Sequence, residues 1–424
     1  MTQQPFIFPR LICFAFALLT VLGSPAVAGE LHGLSAPDRI EGKFIVVLNE
    51  DAPSAFGRIR DIGQEEVREL SKTMADEFEL RTEWVYGVAA KGFSASMSEE
   101  KARRLSKDPR VKYVEVDKLA RGSGAQSNPG FALDRIDQQT GTNNSYIYDN
   151  DGRGVTAYVI DSGVRVSHSE FAPGTGQHTQ RVWPAFTAID DAYGLNDCAG
   201  HGTAVASVIG GVTSGVAKAI PMRSYRVWGC DNQGPVSGII AAVNEVALHY
   251  VDETVPRAGI VNMSLGVASG SMALDEAVQD AIDDELTNGQ YPLTFVTSLG
   301  NDNSGACSSS PGGTVYDAIG VGATDQADAR ANFSNFGLCL DVFAPGVNVR
   351  AASHLSDTGF SYWSGTSFSA PLVAGAAALY LHVHGHLTSP AQVEQFIENN
   401  ATTNVVTNPG NWLTPNRFLY SRLN

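Results

Sequence analysis

A chain of 424 residues with a formal charge of −16 is too long for one small module, and too acidic for a partner whose phosphate backbone demands a basic face. With 43% apolar residues, 43 glycines and 19 prolines it is neither disordered nor fibrous, and reads as a globular protein rich in tight turns.

The chain opens with Arg10, an apolar run over 11–23, Pro25 and the small-x-small triplet Ala26-Val27-Ala28. This predicts a secretory signal over 1–28, cleaved after Ala28. The run is about 13 residues, short of the roughly 20 needed to span a bilayer. No later segment reads as long enough to span, so a secreted, extracellular chain without a membrane anchor is expected. Cys13 leaves with the signal. Cys198, Cys230, Cys307 and Cys339 remain, an even number suited to an oxidising compartment, and four cysteines allow three pairings. No Cys-x-x-Cys spacing supports a zinc site.

From 40 to 117 the pattern is β-α-β-β-α-β. Strands are predicted over 44–48, 82–89, 92–97 and 111–116, and helices over 64–78 and 99–106, with Ser98 as the N-cap of the second. That is a ferredoxin-like α+β plait. The segment 121–130 has linker composition, so a domain boundary is placed there, with 29–123 before it and 124–424 after it. Beyond it, apolar strands over 155–160, 260–263, 293–297 and 319–322 alternate with helices over 203–210, 236–250, 272–288 and 368–384. Such alternation predicts an α/β fold, a three-layer sandwich around a mostly parallel sheet, with ligands at the carboxyl ends of its strands.

Three places carry chemistry. Asp161 ends the buried run Ala157-Tyr-Val-Ile-Asp161-Ser-Gly, His201 stands between glycines in Asn196-Asp-Cys-Ala-Gly-His201-Gly-Thr, and Ser367 opens an apolar helix in Ser364-Gly-Thr-Ser367-Phe-Ser-Ala-Pro. Each alone reads as a turn, loop or cap residue. Together, in the order Asp, His, Ser, they match a catalytic triad.

At these motifs the chain resembles the subtilisin-like serine proteases, and within them the proteinase K branch, over nearly its whole length. The resemblance implies a secreted serine endopeptidase made as a self-processing zymogen. Ser367 would be the nucleophile, His201 the base and Asp161 the group that orients the imidazole. Leu299-Gly300-Asn301 looks like the family's Gly-Asn signature and makes Asn301 the side-chain donor of the oxyanion hole. Ser264-Leu265-Gly266 resembles one edge that pairs with an extended polypeptide substrate, Gly234 lies on the opposing edge, and Ser298 and Gly300 flank the specificity pocket. The plait resembles a propeptide that inhibits in cis, and a monomer is expected. The cysteines resemble the two disulfides of bacterial members of that branch, which pairs Cys198 with Cys230 and Cys307 with Cys339.

The block Leu340-Asp341-Val-Phe-Ala-Pro-Gly346 resembles a stretch whose aspartate binds structural Ca²⁺ with two backbone carbonyls, here those of Tyr316 and Ala318. Four positions depart from the family pattern. Ala204 and Leu372 stand where histidines are common, which bears on packing. Val267 replaces a common glycine, and Leu299 a common small residue near the specificity pocket. Two rival readings stay open on sequence: an aspartic protease, since Asp161-Ser-Gly and Asp357-Thr-Gly could form a dyad, and an inactive peptide-binding protein on the same scaffold.

Overall fold

The computed structural model describes residues 29–36, 39–118, 124–172, 180–251, 258–283, 293–385 and 387–423. The predicted signal over 1–28, the end of the helix predicted over 272–288 and the junction segment 119–123 lie outside the described residues. The chain forms two compact units, Met1–Ala120 and Arg121–Asn424.

In the first unit, helices Gln64–Phe78 and Glu99–Leu105 accompany a sheet ordered Glu30–His32, Val111–Lys118, Arg39–Leu48, Gly92–Ser96, Arg81–Tyr86. The last four of these strands pair antiparallel, the arrangement of a ferredoxin-like plait. Val46, Val67, Leu70, Met74, Phe93 and Val114 are buried between helices and sheet. Ser98 caps the second helix, its side chain accepting from the Lys101 amide at 3.3 Å. The strand Glu30–His32 pairs parallel with Val111–Lys118 and extends the sheet beyond the predicted start at 40. Its sequence, Glu-Leu-His, has no apolar run to announce it.

The second unit is built on a nine-stranded sheet, parallel except at its last pair, in the order Val182–Thr187, Met222–Arg226, Val155–Asp161, Ala258–Met263, Leu293–Ser298, Ile319–Thr324, Val342–Pro345, Arg417–Phe418, Thr402–Thr403. Every residue of Val155–Asp161, Ala258–Met263 and Leu293–Ser298 is buried, as strands covered on both faces must be. One core packs helices His201–Gly210, Thr366–His384 and Pro390–Asn400 against the sheet. A second core packs Val236–Val251 and Met272–Asp283 against the strands Val155–Asp161, Ala258–Met263 and Leu293–Ser298. The result is the expected three-layer α/β arrangement.

Helix Thr366–His384 corrects the reading that no later segment could span a membrane. Its 19 residues are long and apolar enough, but 78% of its most apolar window is buried inside the protein. A helix apolar on all sides is here the central core helix. The substituted positions Ala204 and Leu372 are both fully buried in that core, where an aliphatic side chain packs without needing a polar partner.

Candidate active site

Asp161, Ser264 and Ser298 stand at the carboxyl ends of three adjacent parallel strands, the edge where this architecture gathers ligands. Asp161 is the last residue of its strand and wholly buried. Its Oδ1 accepts from the Ser162 amide at 2.7 Å and from His201 Nδ1 at 2.8 Å. A buried carboxylate facing Nδ1 fixes the tautomer, so Nε2 is the free basic nitrogen. Burial alone would lower the imidazole's pKa. The charge of Asp161, its hydrogen bond and the further charge of Asp197 overcome this and hold His201 above the usual histidine value.

His201 is the first residue of its helix, and the turn before it is held by Asp197. Asp197 Oδ1 accepts from the amides of Ala199 and Gly200 and from Ser162 Oγ, and Oδ2 accepts from the Thr203 amide and hydroxyl. Ser162 Oγ accepts in turn from the Gly202 amide at 2.9 Å, which ties the helix start to the strand that carries Asp161. Gly200 has φ +91°, and a Cβ there would lie 2.2 Å from His354 Nδ1, so only glycine fits. Around the imidazole stand the rings of Trp228, Trp363 and Phe368, with centroids 5.5, 6.2 and 5.3 Å from it.

Ser367 is the second residue of helix Thr366–His384, entered through Gly365 at φ +150°. Its Oγ donates to the Ser264 carbonyl at 3.2 Å in this structure. The neighbouring Phe368 ring, edge-on to His201, brings the helix start against the imidazole. Asn301 faces the same helix start. The Thr366 amide and hydroxyl both donate to its Oδ1, at 2.9 and 3.1 Å, and the Gly300 amide donates to Thr366 Oγ1 at 3.2 Å. An amide N–H can only donate, so the Asn301 oxygen must face Thr366 and its NH₂ is left to the open side.

The loop carrying Asn301 is braced by the buried Asn335, whose Oδ1 accepts from the amides of Asp302 and Ser304 while Nδ2 donates to the Leu299 carbonyl at 2.9 Å. Leu265 and Leu299 are buried, whereas Gly266 and Gly234 face solvent on the two edges. Val267 exchanges backbone hydrogen bonds with Ser310.

Cys198 is bonded to Cys230 and Cys307 to Cys339, with Cα separations of 4.9 and 5.5 Å. The first disulfide joins the histidine loop to the segment bearing Trp228. Asp341, half-buried and just ahead of the strand Val342–Pro345, accepts from the Gly320 amide at 2.7 Å through Oδ2. A carboxylate oxygen from each of Asp341, Glu394 and Glu398 lies within 4.8 Å of the others. Burial, with the charges of Glu394 and Glu398, pushes the Asp341 carboxyl up to about 8. Three hard oxygen donors whose mutual repulsion a cation would relieve fit a divalent ion of the calcium type. Ala318 immediately precedes the strand Ile319–Thr324, whose Gly320 amide is bonded to Asp341, while the Tyr316 side chain is exposed.

Asp357 does not join Asp161. It accepts from Arg165 Nε at 2.8 Å and Ser167 Oγ at 2.6 Å, which holds its carboxyl below the usual range. Two carboxylates with separate partners cannot share a proton as an aspartic dyad does.

Sequence reasoning missed Asp197, Thr366, Asn335 and the aromatic walls. Asp197 and Thr366 lie inside the motifs quoted for their more reactive neighbours, and an acidic or hydroxyl residue near a helix start was a usable signal. Asn335 had none.

The subtilase family profile matches residues 152–415, and the peptidase inhibitor I9 profile matches 43–121. The chain is 40% identical over 400 residues to an extracellular serine proteinase of Thermus sp. (strain Rt41A), covering 92% of each. It is 38% identical over 395 residues to alkaline serine exoprotease A of Vibrio alginolyticus, covering 91% of this chain and 69% of that protein. A cuticle-degrading serine protease of Arthrobotrys oligospora is 32% identical over 420 residues, with 96% and 98% covered. The crystal structure of a cold adapted subtilisin-like serine proteinase superposes with a TM-score of 0.62 at 38% identity, covering 70% of this chain and all of that one.

Proposed function

The chain belongs to the subtilase family, a subtilisin-like serine endopeptidase with an I9-type propeptide, and from that premise we propose that Asp161, His201 and Ser367 hydrolyse its peptide bonds. The observation that carries this reading is the 2.8 Å contact of buried Asp161 with His201 Nδ1 beside the helix start that bears Ser367. Substrate binding would turn the Ser367 hydroxyl from the Ser264 carbonyl toward Nε2. His201 takes the proton as Oγ attacks the scissile carbonyl, and the imidazolium that forms is stabilised by Asp161. The tetrahedral oxyanion is met by the Ser367 amide and the Asn301 NH₂. His201 returns its proton to the leaving amine, and water resolves the acyl-enzyme by the same steps.

Extended polypeptides would lie between the edge Ser264-Leu265-Gly266 and the edge at Gly234, with the side chain before the scissile bond entering between Ser264–Gly266 and Ser298–Gly300. Apolar and aromatic side chains are expected there on the resemblance to the proteinase K branch alone. The plait is read as an inhibitor in cis, cut between about Arg121 and Gln126. The strand Gly124–Ser127 is paired with Ser145–Tyr148, and Gln126 donates to the Thr213 carbonyl at 2.8 Å, which would anchor the new N-terminus. The mature enzyme would act outside the cell. Calcium would be held by Asp341 with the carbonyls of Tyr316 and Ala318, and Glu394 and Glu398 at its rim. When bound it supplies stability and takes no part in the chemistry.

The test is hydrolysis of peptide amides at neutral to alkaline pH by the secreted protein, abolished by a fluorophosphonate and untouched by pepstatin. Sensitivity to pepstatin with indifference to the fluorophosphonate would overturn the reading. Expression of Ser367→Ala should give an uncut precursor beginning near Gly29, and maturation of that variant at the same bond in a protease-free host would exclude self-processing.

A further inference from the structure

Helix Thr366–His384 contains Pro371 near its start. Proline has no amide N–H, so the carbonyl four residues earlier loses its helical donor, and that carbonyl belongs to Ser367. A side chain from outside the helix meets it. Ser264 Oγ donates to the Ser367 carbonyl at 2.8 Å, and Asn262 Nδ2 donates to Ser264 Oγ at 2.9 Å. Asn262 therefore occupies the hydroxyl as acceptor and leaves its proton directed at Ser367. Asn262, Ser264 and Pro371 are all fully or almost fully buried. Asn262 lies on the strand Ala258–Met263 and Ser264 directly follows it, in the middle of the sheet, so the donor stands on a rigid support.

We propose that Ser264 is a positioning residue for the nucleophile, its hydroxyl replacing the helical hydrogen bond that Pro371 deletes. The proposal rests on the reading of Ser367 as the nucleophile. A helix start bonded only to its own next turn can shift or tilt as a unit. One bonded to the central strand is fixed relative to Asp161, which ends the adjacent strand. The Ser367 amide and hydroxyl stand on that first turn, so its placement sets the distance to the reacting carbon, where small displacements cost rate. The role is distinct from the main-chain contact of Ser264 with substrate, which a side-chain truncation leaves in place.

The experiment is a double-mutant cycle on the mature enzyme, with kcat and KM measured on a peptide substrate and normalised to the fraction titrated by a fluorophosphonate. Ser264→Ala should lower kcat about 10-fold, the scale of one lost hydrogen bond, with KM changed less than about two-fold. Pro371→Ala restores an N–H aimed at the Ser367 carbonyl, so Ser264→Ala made in that background should lose no more than about two-fold. Asn262→Ala, which frees the hydroxyl to rotate, should lower kcat by about three-fold and be rescued in the same way. It keeps the test decisive if Ser264→Ala does not fold. An equal loss in both backgrounds, or a loss confined to KM, would overturn the positioning role. A Ser367→Ala enzyme that retained turnover would instead overturn the nucleophile assignment, so the two failures are told apart.

Discussion

Thr366 meets Asn301 twice, with its amide N–H at 2.9 Å and its hydroxyl at 3.1 Å both ending on Asn301 Oδ1. The pair leaves the Asn301 NH₂ as the only part of that amide free to face a developing oxyanion. Asn301→Leu is expected to lower kcat on the order of 10²- to 10³-fold with little change in KM, the scale known for this donor in subtilisin. Thr366→Val keeps the backbone donor and removes the hydroxyl, so a smaller loss of roughly 10-fold is expected. Steady-state kinetics of both variants check this, and a Thr366→Val loss as large as that of Asn301→Leu would contradict it.

His201 must be neutral to act as base, and its pKa is raised by Asp161 once burial has been overcome. The acid limb of kcat/KM should therefore fall above the reference histidine value of about 6.5. Asp161→Asn removes the charge, so the limb should move to lower pH while kcat drops roughly 10⁴-fold. The effect on stability runs the other way. A histidine whose folded pKa is raised adds stability that is full below its unfolded pKa of about 6.5 and is lost as pH rises through the folded value. Thermal melts of wild type and Asp161→Asn between pH 5 and 9 should converge toward the alkaline end.

Lys218 is half-buried beside the Tyr146 and Tyr148 rings and donates to the Gly215 carbonyl and to Gln126 Oε1 on the strand that follows the predicted cut. Burial, partly offset by Glu170, lowers its pKa to about 8. A lysine depressed in the folded state binds fewer protons folded than unfolded between about 8 and its unfolded value near 10.4, so this group makes stability rise with pH across that window. Lys218→Met should flatten that rise, measured by chemical denaturation at pH 7.5 and 10. An unchanged difference between the two pH values would remove Lys218 as its source.

Calcium should raise the melting temperature without changing kcat, because a ligand held only by the folded state adds about 2.7 kcal/mol at 100 times its Kd. Chelation should lower the melting temperature and hasten self-digestion, and Asp341→Asn should abolish most of the calcium response. A melting temperature indifferent to chelator would exclude the site.

The parts legible in the sequence were those with a strong local signal. Helix Gln64–Phe78 has an apolar periodicity that its burial repeats, and the strands ending at Asp161 and Ser298 are short, mainly apolar runs buried at every residue. The Asp-His-Ser order named the three residues, and the structure holds Asp161 and His201 in contact. What stayed hidden depends on pairings across the fold. Asn335 stands 34 positions beyond Asn301 and braces its loop through the backbone, which no local pattern reports. Ser264 was legible as a neighbour of substrate, but its bond to the Ser367 carbonyl follows from Pro371, more than 100 residues away. The strand Glu30–His32 is made by its partner Val111–Lys118 and not by its own composition.

The central claim is that one hydroxyl among many in this chain is the nucleophile. Its most direct measurement is peptide mapping by mass spectrometry of the mature enzyme after reaction with a fluorophosphonate. The account predicts a single stoichiometric adduct on Ser367, formed in step with loss of peptidase activity and absent from the His201→Ala variant. An adduct on another residue, or full inactivation with Ser367 unmodified, would contradict it.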